Sequence, residues 1–358
     1  MRITFVLLIA LFFFTIAKAQ ISRKQLTAQR TTANIKIDGN IDDAAWKEAK
    51  PIENFIEQRP TPGRTEDPAS KSVFYILYDN TSVYVAAYCY ERTRDSVSKE
   101  LIGRDKTGAN DLAGVFLDTY NDKINAVGFF VTPYGEQHDR KYTPEMEDLS
   151  WNAVWESETK IHDNGWSFEM RIPYSALRFV SRDNQTWGIN FMRRRLKTGQ
   201  QFTWNPINPN INGMINQEGE WTGISKVDAP IRLSLSPYLS AYLNHYKPAA
   251  KDWTTSINGG MDVKYGISES FTLDMTLIPD FGQVQCDNQV LNLSPFEIQY
   301  NENRAFFTEG TELFNKGDLF YSRRVGGTPL HFNEVESQLK PNEYIVKNPV
   351  ETKLINAT

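Results

Sequence analysis

The feature that most constrains this chain is a two-residue rhythm running from Ile231 to Leu277. Ile231, Leu233, Leu235, Leu239, Ala241 and Leu243 alternate with Arg232, Ser234, Ser236, Ser240 and Asn244. Ile257, Gly259, Met261, Val263, Tyr265 and Ile267 alternate with Asn258, Gly260, Asp262, Lys264 and Gly266. Phe271, Leu273, Met275 and Leu277 then alternate with Thr272, Asp274 and Thr276. Side chains on a strand point to opposite faces in turn, so this period means strands with one apolar and one polar face. Three such strands in succession match the opening of a membrane β-barrel, whose outer face meets lipid. They match a large soluble antiparallel sheet equally well, and the pattern alone does not choose.

The first residues read as an export signal. Arg2 precedes an apolar run from Ile3 to Ile16, and Ala17-Lys18-Ala19 follows before Gln20. A basic start, a short apolar core and an A-x-A site predict a cleaved signal over 1–19. No later stretch is apolar enough for a membrane helix, so residence at a membrane would require a barrel or a partner. The two cysteines, Cys89 and Cys286, are far apart, and Cys89 sits in a very apolar stretch. A buried free thiol is the expectation there, although an oxidising compartment permits a disulfide. The net charge of -5 and the isolated run Arg193-Arg194-Arg195 give no track for phosphates, so no nucleic-acid partner is expected.

Between these ends the chain reads as many short strands. Residues 20–33 are polar and read as a flexible leader, and residues 34–228 as one β-sandwich. Ile35-Lys36-Ile37 is a short strand, Asp38-Gly39 a turn, and Asp42 or Asp43 can cap a helical turn that places Trp46 as a plug at one end. Glu53 to Ser70, rich in Pro, Gly and Thr, reads as an exposed loop. Val73–Tyr78 and Val83–Tyr88 flank Asp79-Asn80-Thr81-Ser82 as a hairpin with almost wholly apolar arms. Strands follow at Leu112–Asp118, Ala126–Thr132, Trp151–Thr159, Gly165–Ile172 and Trp187–Arg194, with turns at Asn121-Asp122 and Asp163-Asn164-Gly165. Short strands at this spacing predict a sandwich.

These stretches also carry a resemblance. Ile37-Asp38-Gly39 with Asp42-Asp43-Ala44-Ala45-Trp46 resembles the opening of family 9 carbohydrate-binding modules. The hairpin Leu77–Asn80 to Val83–Ala86 is similar too, as are Asp111, Phe116-Leu117-Asp118-Thr119, Phe129-Phe130, Pro133-Tyr134-Gly135 and Gly165-Trp166 with Glu169 and Ile172-Pro173. Further on, Ile278–Val284, Asn292-Leu293 and Glu302–Gly310 resemble an uncharacterised Bacteroidota outer-membrane family, DUF5916. The resemblance implies an all-β chain: an N-terminal antiparallel β-sandwich over 34–228, then an incomplete C-terminal β-barrel segment over 229–358. It also implies an exported protein at the cell outer membrane, its sandwich in the periplasm or at the cell surface, with a polysaccharide or oligosaccharide as partner.

A sugar site needs a flat aromatic platform for the ring's C–H face and convergent polar groups for its hydroxyls. Trp151, Trp155 and Trp166 are the nearest candidates, with Tyr134 and Arg140 in a polar stretch between strands. Each Trp also suits a core. Asp38, Asp42 and Asp111, with Asp43 and Asp79 beside them, are candidate oxygen ligands for a structural calcium ion of the kind related modules bind. The same residue types serve as caps and turns. Enzyme chemistry is not expected: His138, His162, His245 and His331 have no metal-ligand spacing, no nucleophile elbow or phosphate loop occurs, and no carboxylate pair stands out. Glycosidic-bond hydrolysis and carbohydrate catabolism would belong to enzymes that such modules accompany. The competing expectation is a structural or transport component that binds no glycan.

Overall fold

The computed structural model describes residues 23–245 apart from 107, 144–146 and 150, residues 253–278 apart from 269 and 270, and short stretches between 291 and 357. The expected signal over 1–19, Cys286 and most of Asp280–Phe320 lie outside the described residues. The chain divides into two compact units, Met1–Leu149 with Ala153–Asp228, and Ala229–Thr358 with Ser150–Asn152.

The strands of the first unit are β1 (Gln25–Thr27), β2 (Ile56–Arg59), β3 (Ser72–Tyr78), β4 (Ser82–Tyr90), β5 (Leu112–Asp118), β6 (Ala126–Val131), β7 (Gln137–Tyr142), β8 (Glu147–Asp148), β9 (Glu156–His162), β10 (Gly165–Pro173), β11 (Asn184–Arg195), β12 (Gln200–Thr203) and β13 (Gly219–Ser225), with one short helix α1 (Ala44–Glu48). They form a small sheet in the order β3-β4-β10-β9 and a nine-stranded sheet in the order β1-β13-β11-β5-β6-β7-β8, with β12 and β2 branching from β11. The inner faces meet through aromatic rings. Phe74 of the small sheet lies 5.3 Å from Phe191 of the large one, and 5.0 Å from Phe55. Trp187 and Trp221 pack at 5.7 Å, and Tyr78 reaches Trp221 at 5.9 Å. Each fully buried ring of this size contributes about 1.5–3 kcal/mol.

One charged side chain also crosses the core. Arg193 on β11 is fully buried and reaches the small sheet, donating to the carbonyls of Ser70 (2.9 Å), Lys71 (3.0 Å) and Tyr90 (2.6 Å). It also donates to Glu91 at 2.9 Å, and Arg195 closes a fork on the same carboxylate at 2.6 and 2.7 Å. Along the basic run the side chains alternate: Arg193 and Arg195 turn to this inner ion cluster, while Arg194 belongs to the outer face. Cys89 is buried and free, as expected, and burial pushes its thiol up to about 12.

The apolar arms of the β3–β4 hairpin are explained by cover on both sides. Inside lies the large sheet. Outside, Ile35, Ala45, Trp46 and Ala49 pack on Leu77, Tyr84 and Ala86. Trp46 therefore lies over the outer face of the small sheet instead of plugging an end. Its Nε1 donates to Glu169 Oε1 at 2.7 Å, and the N–H groups of Asp38 and Gly39 donate to Glu169 Oε2 at 2.9 Å each. Gly39 sits at φ +80°, and a Cβ there would meet the Thr159 carbonyl carbon at 2.9 Å. The turn needs both the left-handed backbone and the missing side chain. Asp43 stands at the helix N-cap, yet its carboxylate accepts from Lys36 N at 2.9 Å and no side-chain cap bond forms.

Three sequence expectations are corrected. The leader from Arg23 onward is tied to the sandwich: β1 pairs in parallel with β13, Lys24 N donates to Asn205 Oδ1 at 2.8 Å, and Arg30 Nη1 to the Ser225 carbonyl at 2.8 Å. The edge of β13 has backbone groups that need partners, and the leader supplies them. The loop from Glu53 to Ser70 contains β2, which pairs with β12. The strand expected from Trp151 begins only at Glu156.

The second unit is a sheet of β14 (Leu233–His245), β15 (Trp253–Gly266), β16 (Thr272–Leu277) and β17 (Ile355–Ala357) in sequence order. Its register puts Leu235 beside Val263 and Val263 beside Met275, so the apolar positions share one face. On the other face Lys264 stands opposite Asp274, 3.9 Å away. The apolar face is uncovered: Leu239 is 79 % exposed, Ile257 74 % and Leu243 66 %. The sheet is an open, incomplete barrel segment among the described residues. No described helix is long and apolar enough to cross a membrane, which leaves strand crossing untouched.

Candidate functional site

The residues expected at a sugar site do not share one cleft. Trp166 is fully buried on the inner face of β10 beside Phe168, ring centroids 5.7 Å apart, and offers no surface for stacking in this structure. Trp155 is also buried, edge-on to Phe129 at 5.4 Å, and its Nε1 donates to Asp139 Oδ1 at 3.4 Å. The same Asp139 oxygen also accepts from Arg104 at 2.6 Å. Residues alternate along β7, so Asp139 with Trp155 and Arg140 belong to opposite faces of the large sheet. Trp151 is half-buried in the irregular stretch before β9. Tyr134 is 47 % exposed in the β6–β7 turn, where Gly135 at φ +88° returns the chain.

The candidate calcium ligands lie apart from one another. Among the described residues no three acidic, His or Cys side chains gather as a metal site. Asp38 instead accepts from Asn40 N and Nδ2, both at 3.0 Å, and pairs with Lys36 at 3.0 Å. Asp42 is exposed. Asp111 is buried directly before β5 of the large sheet, accepts from Leu196 N at 2.8 Å, and burial raises its carboxyl to about 6. These are a turn, a surface acid and a strand-end anchor.

Two surfaces do gather chemistry. The first is on the outer face of the small sheet, beyond the ground covered by Trp46. There Tyr88 and Tyr90 on β4 lie 4.3 Å apart, and His162 of β9 stacks on Tyr88 at 5.1 Å. All three rings are half-buried, as is the neighbouring Tyr75. Polar groups rim them. Lys71 Nζ stands 6.0 Å over the Tyr90 ring and pairs with Glu53 at 2.8 Å. Tyr88 donates to Asn164 Oδ1 at 2.6 Å, and Lys160 to Asn40 Oδ1 at 2.7 Å. Ser167 donates its one hydroxyl proton to the Gly39 carbonyl at 2.6 Å, so His162 Nε2, 2.7 Å from Ser167 Oγ, is the donor of that pair. Burial, and then Lys160, lower the imidazole's pKa, which favours the neutral ring and leaves Nδ1 as an acceptor.

The second surface is the outer face of the large sheet. Its floor is Phe116, Phe130 and Tyr142 with Leu112 and Met192, the rings 4.9 and 5.0 Å apart. Gly114 and Gly128 make room for the Phe130 ring: a Cβ on either would lie 2.7 or 2.5 Å from a Phe130 ring carbon. Above that ring, at 6.0 Å, sits the Arg140 guanidinium. Of the residues expected from the sequence, only Arg140 joins this surface. Tyr88, Tyr90 and His162 are not among the expected contacts, although the i, i+2 spacing of Tyr88 and Tyr90 on a strand already puts them on one face.

Residues 37–207 match the family described as "Carbohydrate family 9 binding domain-like", and residues 229–358 match "Domain of unknown function (DUF5916)". The chain therefore has an N-terminal domain like the family 9 carbohydrate-binding domains and a C-terminal DUF5916 domain. Among solved structures, a family 9 carbohydrate-binding module from Caldicellulosiruptor kristjanssonii in complex with cellotriose aligns at 16 % identity and TM-score 0.40, covering 58 % of this chain and 95 % of that one. A structure of a family 9 module from the same organism with glucose aligns at 18 % identity and TM-score 0.41, covering 58 % and 100 %. A search of the curated proteins found no match.

Proposed function

We propose that the N-terminal unit binds carbohydrate, with the half-buried array of Tyr88, Tyr90 and His162 as its platform. The observation that carries this reading is the match of residues 37–207 to the carbohydrate family 9 binding domains. The array adds a suitable surface: aromatic rings partly open to solvent, ringed by two lysines, a carboxylate and two amides, with the His162 imidazole as an acceptor within it. Aromatic faces hold the C–H side of a sugar while such groups take its hydroxyls. No covalent step is assigned. Binding is measured by calorimetry on the chain with a panel of neutral oligosaccharides. The expected result is a measurable affinity that Tyr88→Ala and His162→Ala each weaken by about tenfold, or about 1.4 kcal/mol, with the fold intact. Silence across the panel counts against carbohydrate binding, and an affinity blind to both variants moves the platform elsewhere.

We also propose that the second unit places the protein at a membrane, as a sheet whose apolar face meets lipid at the outer membrane of an exported protein. The uncovered Leu239, Leu243 and Ile257 support this. Water is a poor neighbour for a continuous face of that kind, and lipid-facing barrel strands carry the same alternation.

A further inference from the structure

The aromatic array of the small sheet lies in a band that runs across its strands. On the outer face β4 presents Tyr84, Ala86, Tyr88 and Tyr90 in turn. Ile35 and α1 cover the first two, so open ground begins at Tyr88. The register carries it sideways. Tyr88 stands opposite Ser167 of β10, and Ser167 opposite Lys160 of β9. Tyr90 stands opposite Gly165, and Gly165 opposite His162. With only a glycine and a buried serine on β10, no bulky side chain separates the tyrosines from His162, and Tyr88 reaches that ring at 5.1 Å. Gly165 has φ +139°, and a Cβ there would run into the Cys89 carbonyl oxygen, so this low ground requires glycine.

The band continues onto β3. Tyr75 stands opposite Ala86, half-buried, with its ring 6.3 Å from Trp46. Burial, then Tyr90 and Glu53, raise the pKa of its phenol, which sets it in the neighbourhood of Tyr90 and of the Lys71–Glu53 pair. From β3 to β9 the band crosses three strand spacings, about 14 Å, room for about three pyranose rings laid end to end. One long side is walled by Trp46 and the Asp38–Asn40 turn, where the Gly39 carbonyl accepts from Ser167 and Asn40 Oδ1 from Lys160. The ends are open. Lys160 is exposed on β9, the last strand of its sheet, and the Lys71 and Glu53 side chains at the β3 end are 45 % and 39 % exposed. A site that selects a chain terminus must enclose it, and no described residue does so at either end. The charges are also offset, Lys71 by Glu53, which suits a neutral ligand.

We propose that this band binds a neutral oligosaccharide along its length, laid across the strands, with Tyr75 and Lys160 holding the units on either side of Tyr88, Tyr90 and His162. It rests on the carbohydrate reading of that array and adds the binding mode: the interior of a chain, not its terminus. The test is calorimetry on the full chain with cello- and manno-oligosaccharides of one to six units, each also with its reducing end converted to the alditol by borohydride. Affinity should rise at least about tenfold from monosaccharide to tetrasaccharide, and the reduced tetrasaccharide should bind within about twofold of the native one. Lys160→Ala and Tyr75→Leu should each weaken the tetrasaccharide at least about threefold and the disaccharide little, with unchanged circular dichroism spectra. Lys160 is exposed, so its replacement leaves the fold in place. A monosaccharide bound as tightly as the tetrasaccharide, or binding lost on reduction of the chain end, overturns the lengthwise mode and leaves the carbohydrate reading standing. A tetrasaccharide affinity unmoved by both variants overturns the placement of the outer units. Silence from every oligosaccharide sinks both readings.

Discussion

At the scale of single residues, the most informative group is Glu169. Three donors converge on its carboxylate, two from the Asp38-Gly39 turn and one from the Trp46 indole. The turn motif and the distant glutamate are thus one unit. Glu169→Ala is expected to cost about 2–4 kcal/mol in urea unfolding, because buried donors lose a charged acceptor. Two other carboxyls set a pH dependence. Burial raises Asp111 to about 6, and burial followed by Asp118 raises Glu218 well above the ordinary range. A carboxyl whose pKa rises on folding favours the fold while it is protonated. That contribution is complete below the unfolded value of about 4 and is lost as pH climbs through the folded value. Melting temperature should therefore fall from about pH 4 through 6 and beyond, and Asp111→Asn with Glu218→Gln should flatten the slope. A slope unchanged in the double variant would show that other groups set it.

At the scale of elements, β1 and Arg193 decide how the sandwich is closed. Deleting residues 23–31 removes the partner of the β13 edge together with the Lys24 and Arg30 bonds, so the melting temperature should drop by several degrees, as about 1–2 kcal/mol does in a domain of this size. Arg193→Met should cost about 3–5 kcal/mol, since it strips Glu91 of one partner and leaves main-chain carbonyls unpaired. Strand positions were legible wherever alternation or apolar runs were strong, as at β3, β4, β10 and β11. The leader was not legible, because three residues, Gln25-Leu26-Thr27, carry no periodicity and pair only because an edge is vacant. The tryptophans misled for a related reason: Trp155 and Trp166 are strong candidates by residue type, and burial depends on which face of a strand looks inward. Arg140 was legible as a polar residue between strands.

At the scale of the molecule, two units with opposite demands share one chain. The first buries most of its large apolar side chains, whereas the second leaves Leu235, Leu239 and Leu243 on an uncovered face. The lipid reading predicts that the chain floats with phospholipid vesicles. Replacing those three leucines with Asp should shift it to the soluble fraction, as each charge in lipid costs about 2–4 kcal/mol. Flotation unaffected by the replacement would exclude this face as the contact. The sandwich holds a further consequence in the way Arg193 grips its neighbour. Its acceptors at positions 70, 71 and 90 are peptide oxygens, which no side-chain replacement can delete. For this fastening alone, those three positions can change residue type without loosening it, and its side-chain half is set by positions 193 and 91.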